Sequence, residues 1–237
     1  MSSFYYIDRS DVNLEDVVFN ENVAKQIEDF LLEQQFKEKL LSYQLPIANK
    51  ILMYGATGCG KTMTAKAVAK HLNKKLVIVN LATIISSKLG ETAKNIDALF
   101  KEAQYEGLVL FFDEFDSLGQ IRDYDNKDNS EMKRVVNAIL QLIDNFPQKS
   151  VLMAATNQVQ MIDEALKRRF EMHLEFTNPT NETLDLYYDK LLANFPKEYC
   201  EINRTYNTSF AEAKNLALYQ VKKNIIQSEI KNQKVAN

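Results

Sequence analysis

The sequence predicts an α/β fold in which helices cover both faces of a parallel sheet. The first observation is a strand-to-helix segment, residues 51–62, in which an apolar run leads into the pattern Gly-x-x-x-x-Gly-Lys-Thr. The second is that short apolar runs alternate with helical apolar patterns from there to residue 176. The third is that the run 108–112 contains no polar residue, as expected for a strand that helices cover on both faces.

Five strands are predicted along the chain. They are residues 50–54, 75–80, 108–112, 151–155 and 171–176. Between the strands, apolar residues recur at helical spacing, as in residues 61–72. Ahead of the first strand, Val23 and Ile27 open an amphipathic helix that is expected to end before Pro46.

Three segments are expected along the 237 residues: an N-terminal arm at 1–14, an α/β domain at 15–178 and a small helical domain at 179–237. The polar run 178–181 marks the second boundary, because the alternation of strands and helices stops there. An apolar content of 46% is ample for a hydrophobic core.

The composition argues against several classes of partner. A net charge of −3, with both signs spread along the chain, disfavours binding to nucleic acid or to an anionic membrane. The chain has no apolar run of about eighteen residues and no N-terminal export signal. Its two cysteines, Cys59 and Cys200, do not make a disulfide framework. We therefore expect a cytoplasmic protein without a membrane anchor.

The segment around residues 55–62 has the pattern of a phosphate-binding loop. Its glycines permit the positive φ angles with which successive N–H groups turn towards a phosphate; they are Gly55, Gly58 and Gly60. Lys61 would reach the β- and γ-phosphates of a nucleotide, and Thr62 would ligate Mg²⁺. The other residues expected to contact the nucleotide here are Ala56, Thr57, Cys59 and Met63. The alternative is a glycine-rich turn without a ligand.

Cys59 precedes the N-terminus of the predicted helix and lies two positions before Lys61. Both features stabilise a thiolate, which predicts selective alkylation of this residue. The alternative is a thiol that the loop shields.

An apolar strand that ends in Asp113 and Glu114 places two acids at the carboxyl edge of the sheet, where ligands of open α/β folds bind. Asp113 would complete the Mg²⁺ site with Thr62. Glu114 would deprotonate the water that attacks the γ-phosphate. The alternative is a solvated strand end.

Two further polar sites follow the fourth strand. Asn157 directly follows that strand, where its amide would hold the attacking water by donating and accepting hydrogen bonds. Arg168 and Arg169 lie in the run to the fifth strand, and their donor forks suit a phosphate. The alternatives are a turn-forming asparagine and a solvated pair of arginines.

Four motifs, taken in chain order, resemble those of the AAA family of ATPases. They are Gly-Ala-Thr-Gly-Cys-Gly-Lys-Thr, Leu-Phe-Phe-Asp-Glu-Phe-Asp, Ala-Ala-Thr-Asn and Leu-Lys-Arg-Arg-Phe. The resemblance spans residues 14–228 and is strongest to the classical branch that includes katanin, spastin and the N-ethylmaleimide-sensitive factor, above all to small bacterial members with one module.

The resemblance implies a P-loop NTPase fold with a five-stranded parallel sheet in the order 5-1-4-3-2 and a C-terminal helical lid. It also implies ATP or ADP with Mg²⁺ as cofactors, and a ring of identical subunits, usually a hexamer. Asn157 then corresponds to sensor 1. Arg168 and Arg169 correspond to arginine fingers, which act with Lys61 and Glu114 in catalysis.

Two segments resemble the parts of the family that hold the base. Val17 and Val18 fall in the segment that cradles adenine. Phe210 and Ala211 fall in a motif similar to the one with which the lid closes over the base.

Lys88, Leu89 and Gly90 correspond to the pore loop with which relatives grip polypeptide. Lys88 stands where those relatives usually have an aromatic residue, and a lysine offers only its aliphatic stem and a charge. Either the substrate is acidic or the grip is weak, and a solvated loop without substrate contact is the further alternative.

The sequence therefore predicts a Mg²⁺-dependent ATPase that works as a ring and remodels a protein partner. The alternative is an ATP-dependent assembly switch that holds a partner without threading it. A nucleic-acid motor is the third hypothesis, which the charge disfavours.

Overall fold

The structure, a computed structural model, describes residues 5–81, 89–120 and 130–235. The chain forms two compact units. The larger contains residues 1–55 and 61–176, and the smaller contains residues 56–60 and 177–237. The chain thus passes into the smaller unit after Phe176, close to the predicted boundary after residue 178, and five residues of the glycine-rich loop group with the smaller unit.

A six-stranded sheet organises the larger unit. Its strands are β1 Tyr5–Asp8, β2 Lys50–Gly55, β3 Leu76–Asn80, β4 Val109–Asp113, β5 Val151–Thr156 and β6 Met172–Phe176. Their order in the sheet is β1-β3-β4-β5-β2-β6. Strands β2 to β6 are parallel. They include all five predicted strands, in the predicted order.

The sixth strand corrects the prediction of a five-stranded sheet, because part of the N-terminal arm is a strand. Tyr5–Asp8 pairs antiparallel with β3, and Tyr5 lies opposite Val79. Without this pairing β3 would be an open edge with unpaired backbone groups. An ion pair of 3.1 Å between Lys66 and Asp8 also holds the arm.

Helices flank this sheet. They are α1 Glu21–Gln35, α2 Lys37–Ser42, α3 Lys61–His71, α4 Leu89–Glu106, α5 Ser117–Gln120, α6 Ser130–Asp144 and α7 Glu164–Lys167. Short 3-10 turns span Leu14–Asp16 and Val159–Met161.

The helix predicted ahead of the first strand is interrupted. Asn20 caps α1, because its side chain accepts a hydrogen bond of 2.8 Å from the Val23 N–H. The predicted apolar positions Val23 and Ile27 are buried. Helix α1 ends at Gln35, and the chain continues through Phe36 into α2.

Aromatic side chains in the core fix the segment that follows β4. Phe115 is fully buried, and its ring stacks on Phe112 with centroids 6.3 Å apart. It also meets Phe170 edge-on at 5.4 Å. Because Phe115 follows Glu114 and Phe170 follows Arg169, this packing anchors two predicted functional segments.

The smaller unit is helical. Its elements are α8 Asn181–Leu192, a 3-10 turn at Lys197–Tyr199 and α9 Phe210–Val235. Leu184, Tyr188, Ala213 and Ala217 form its core. Arg204 lies over the Tyr188 ring, with its guanidinium carbon 5.6 Å from the centroid, and so ties the intervening loop to α8.

None of the helices in the described ranges combines the length and the apolar character needed to cross a bilayer.

Candidate functional site

The ends of three adjacent strands place most of the predicted catalytic residues of the larger unit at one edge of the sheet. Strand β5 lies between β4 and β2. Asp113 ends β4, and Asn157 directly follows β5 as an exposed residue. Lys61 begins helix α3 and contacts Gly55, the last residue of β2. The carboxyl edge of the sheet is therefore the candidate site.

Lys61 is buried, with 8% of its surface exposed. Its ammonium donates a hydrogen bond of 2.7 Å to the carbonyl oxygen of Gly55. Thr62 is half-buried on the first turn of α3, and Met63 is 41% exposed. The lysine is thus held at the start of a helix, where the backbone also favours an anion.

Gly55 has no room for a side chain. Its φ angle is +124°, and a Cβ atom would lie 2.0 Å from the carbonyl oxygen of Phe176 in the neighbouring strand β6. Only glycine allows the two backbones to approach this closely, and its positive φ angle turns the chain out of β2 into the loop.

In the smaller unit, the loop residue Gly58 contacts the start of helix α9. The Gly58 carbonyl accepts a hydrogen bond of 3.1 Å from the Ala211 N–H. A Cβ atom at Gly58 would lie 2.7 Å from the Ser209 hydroxyl. Phe210 packs against Tyr187, with ring centroids 5.0 Å apart. Phe210 and Ala211, which were predicted to contact the nucleotide base, therefore lie beside the loop.

Cys59 is buried, with only 3% of its surface exposed. Its Sγ atom lies 3.4 Å from the Asn178 side-chain oxygen. This burial favours the alternative in which the loop shields the thiol over the prediction of selective alkylation.

Asp113 is a half-buried carboxyl group. Burial raises its pKa above the ordinary value, and the charges of Glu114 and Asp116 add to the rise. The Glu114 N–H, which donates to the Asp113 carboxylate at 3.0 Å, and the Lys61 charge oppose it. The net rise means that a bound cation would stabilise the charged carboxylate.

Glu114 is exposed and has a left-handed backbone, with a φ angle of +54°. Its carboxylate accepts a hydrogen bond of 3.2 Å from the side-chain amide of Asn80. Asn80 ends β3 and lies opposite Asp113 in the sheet register. Sequence reasoning missed Asn80, although a polar residue at the end of an apolar strand was the available signal.

A buried hydrogen bond links the segment that follows β4 to the last residue of β5. The Thr156 hydroxyl donates to the Asp116 carboxylate at 2.7 Å. It accepts a hydrogen bond of 2.9 Å from the Gln158 N–H. Asn157 therefore lies between two residues that this hydroxyl holds in place, and neither Thr156 nor Asp116 was a predicted site residue.

The two predicted arginine fingers differ in their surroundings. Arg168 is exposed at the end of α7. Arg169 pairs with Asp144, the last residue of α6, through contacts of 2.8 and 3.0 Å. Reaching a neighbouring subunit would require Arg169 to leave this carboxylate, whereas Arg168 already faces solvent.

Val17 and Val18, the predicted adenine contacts, are half-buried and follow the first 3-10 turn. A cavity of about 460 Å³ lies beside this segment. Its lining is mostly apolar and comes from Leu14, Glu15, Phe19, Ala24, Ile27, Glu28, Leu31, Leu32, Gln35 and His71. Neither valine lines it.

Lys88 of the predicted pore loop lies outside the described residues. Leu89 and Gly90 are the first two residues of helix α4.

A strand, a glycine-rich loop, a helix that begins with Lys-Thr and an acidic pair at the end of another parallel strand define the P-loop class of α/β nucleotide-binding proteins. Within that class, the chain belongs to the AAA family. The family model described as "ATPase family associated with various cellular activities (AAA)" matches residues 51–178.

Two relatives illustrate the similarity. "Uncharacterized AAA family ATPase y4kL" of Sinorhizobium fredii is 34% identical over 218 residues, which are 91% of this chain and 66% of that protein. "Putative 26S proteasome regulatory subunit homolog MJ1494" of Methanocaldococcus jannaschii is 33% identical over 148 residues, which are 60% of this chain and 40% of that protein. The chain thus spans less than two thirds of the length of these relatives.

The fold is also similar to a solved structure, the crystal structure of the FIGL-1 AAA domain. The TM-score is 0.74 at 24% identity, over 92% of this chain and 74% of that chain. The FIGL-1 AAA domain in complex with ADP gives a TM-score of 0.73, also at 24% identity, over 92% and 75% of the two chains. At this identity the likeness concerns the fold alone.

Proposed function

We propose that the protein hydrolyses ATP to ADP and phosphate with the help of Mg²⁺. The observation that carries this proposal is the convergence of Lys61, Asp113 and Glu114 at the carboxyl edge of the sheet, where the Lys61 charge acts on the Asp113 carboxyl group. A cation that binds phosphate, a carboxylate that binds a metal and a candidate general base are the parts that this reaction needs.

The residues present fit a nucleotide with its metal ion. The Lys61 ammonium is buried and donates to a neutral carbonyl group. The Asp113 carboxylate has a raised pKa because it is buried, so a cation nearby would lower its free energy. The Thr62 hydroxyl, next to Lys61, and the Asp113 carboxylate would hold Mg²⁺, which neutralises charge on the phosphate oxygens.

The protein's own groups would then act on water. Glu114 lies one residue beyond Asp113 and takes the proton of the attacking water, while Asn80 holds its carboxylate by a hydrogen bond. Asn157, on the adjacent strand end, orients that water by donating and accepting hydrogen bonds. The loop residues 56–60 supply N–H groups to the phosphates. The adenine base is contacted by Val17, Val18, Phe210 and Ala211.

The proposal includes a ring of identical subunits, in the form of a hexamer, in which each subunit completes its neighbour's site. Arg168 and Arg169 supply positive charge to the γ-phosphate of the adjacent subunit. The exposure of Arg168 supports such a role, since its side chain already faces solvent.

We further propose that hydrolysis is coupled to the remodelling of a protein partner. Membership of the AAA family and the similarity to proteins named as proteasome regulatory subunit homologues support a protein rather than a nucleic acid as partner. The second candidate is an ATP-dependent switch that assembles around a partner and holds it intact. The lysine at position 88 favours this candidate, because it lacks the ring with which an aromatic residue grips a polypeptide.

The test compares two variants of the full chain with the parent. Lys61→Ala should lose nucleotide binding in a fluorescent-ADP titration. Glu114→Gln should retain binding, lose hydrolysis and stay assembled with ATP, because the substitution removes the base and leaves the shape. Proteins that co-purify with the ATP-bound Glu114→Gln variant would identify the partner. Parental ATP hydrolysis by Glu114→Gln would contradict the assigned base.

A further inference from the structure

The residue proposed as general base has a backbone conformation that needs support. Glu114 has a φ angle of +54°, in the left-handed region that residues with a side chain rarely adopt. Such a conformation persists only where the surrounding structure determines it on both sides. On its N-terminal side, the Glu114 N–H donates to the Asp113 carboxylate at 3.0 Å. On its C-terminal side, the Ser117 N–H donates to the Glu114 carbonyl at 3.0 Å, and strand β5 holds the residues between them.

Two hydrogen bonds fasten the residues after Glu114 to the end of β5. The Phe115 N–H donates to the Ala155 carbonyl at 2.8 Å. The Thr156 hydroxyl donates to the Asp116 carboxylate at 2.7 Å. The first bond uses backbone groups only and would form with many sequences, whereas the second requires these two side chains.

The Asp116–Thr156 pair is shielded from water. Thr156 is 1% exposed and Asp116 is 9% exposed. A hydrogen bond to a carboxylate is short and strong in such surroundings, and loss of one partner leaves the other buried without it. The same hydroxyl accepts from the Gln158 N–H, so it also holds the backbone on both sides of Asn157.

We propose that Asp116 and Thr156 are positioning residues that hold Glu114 and Asn157 at the separation at which both contact one attacking water. The proposal rests on the function proposed above, since it concerns the same site. Neither residue touches the nucleotide in this role. Each acts through the backbone: Asp116 fixes the segment that begins with Glu114, two residues before it, and Thr156 fixes Asn157, the next residue in the chain.

The main test removes the hydroxyl at nearly constant volume. Thr156→Val should lower kcat for ATP by about 10- to 100-fold, the scale expected when catalytic groups move by about 1 Å. Affinity for fluorescent ADP and the KM for ATP should stay at the parental values, because Lys61 and the loop are untouched. Thr156→Ser is the matched control, since it keeps the hydroxyl and should retain most of the parental kcat.

Asp116→Asn and Asp116→Ala form the second pair of variants. The asparagine retains a side-chain oxygen that accepts a hydrogen bond from the Thr156 hydroxyl, so the kcat of Asp116→Asn should lie close to the parent's. The kcat of Asp116→Ala should fall by as much as that of Thr156→Val. This pair also tests the proposal if Thr156→Val does not fold, which a thermal unfolding scan would show.

A double-variant cycle separates positioning from a purely structural role. In an Asn157→Ala background, the attacking water has already lost one of its two contacts, so the separation that the Asp116–Thr156 pair sets matters less and adding Thr156→Val should cost less than it does alone. An equal fold-loss of kcat on adding Thr156→Val in both backgrounds would overturn the proposal. A fall of ADP affinity in step with kcat would overturn it as well. An unchanged kcat in Thr156→Val, while Glu114→Gln is inactive, would overturn only the positioning role. Parental activity in Glu114→Gln would overturn both proposals.

Discussion

At the scale of single residues, the Glu114 side chain is oriented by a neighbour outside the sequence motifs. The Asn80 amide donates to its carboxylate at 3.2 Å across the end of strand β3. A carboxylate that serves as base must point at its water, and one fixed donor limits the directions that its side chain takes. Asn80 is therefore expected to affect the rate of hydrolysis without affecting nucleotide binding.

Asn80→Ala should lower kcat for ATP by about tenfold or more, because loss of an orienting hydrogen bond misplaces the base. Steady-state kinetics and an ADP titration would separate the rate from the affinity. Asn194→Ala is a suitable control, since the Asn194 amide also donates a hydrogen bond, in this case to a backbone carbonyl group, but lies just after α8, in the smaller unit. An unchanged or raised kcat in Asn80→Ala would mean that Asn80 does not orient the base for catalysis.

At the scale of secondary-structure elements, the junction of β2 with the loop depends on the close approach of β2 and β6. Gly55 lies opposite Phe176 in the sheet register. Gly107, at the turn before β4, also has a positive φ angle, of +68°, but a Cβ atom there would meet nothing nearer than 3.4 Å. Comparing substitutions at the two glycines therefore separates the cost of backbone strain from the cost of steric overlap.

Gly55→Ala should destabilise the protein more than Gly107→Ala. The alanine at 107 has only to adopt an unfavourable φ angle, which costs about 1–2 kcal/mol. The alanine at 55 must in addition push β6 away from β2, and overpacking adds roughly 1–3 kcal/mol. Urea unfolding of both variants would measure the difference, and equal losses of unfolding free energy would show that β6 adjusts without cost. Gly55→Ala should also weaken ADP binding.

At the scale of the whole molecule, the arginines decide whether a site is complete in one chain. Arg169 pairs with Asp144 of its own chain. Arg168 is exposed. An arginine that acts on a neighbour's nucleotide makes activity a property of the assembly, because a single chain then lacks part of its catalytic site.

Arg168→Ala and Arg169→Ala should each be inactive, since an arginine at the γ-phosphate is worth on the order of 10³–10⁵ in rate. Mixing either variant with Glu114→Gln should restore activity, because Glu114→Gln subunits offer intact arginines to neighbours with an intact base. Lys167→Ala is the matched control, as its ammonium pairs with Glu164 on the same short helix, and it should be active alone.

Failure of the mixture to recover activity would contradict a shared site. Specific activity that does not depend on protein concentration would contradict it independently. Recovery with Arg168→Ala but not with Arg169→Ala would assign the finger to Arg168 and leave Arg169 with its structural partner Asp144.

Local patterns of residues were enough to predict the parts of the protein that depend on near neighbours in the chain. Four of the five parallel strands were readable because each contains a contiguous apolar run, whereas Met172–Phe176 alternates apolar with polar residues. Lys61 and the Asp113–Glu114 pair were identifiable as candidates because their chemistry requires fixed spacing after a strand. The sheet order came from the resemblance to the AAA family, and the structure agrees with it for those five strands.

Contacts between residues that are distant in sequence depend on how the chain folds, and no local pattern predicts them. Strand β1 forms because Tyr5–Asp8 meets the open edge of β3, and so short a run carries no local signal of its partner. Asn80 reaches Glu114, and Thr156 reaches Asp116, because the register of adjacent strands brings their ends together. The pairing of Arg169 with Asp144 likewise depends on how α6 packs. A local pattern specifies an element, whereas register and packing specify which side chains meet.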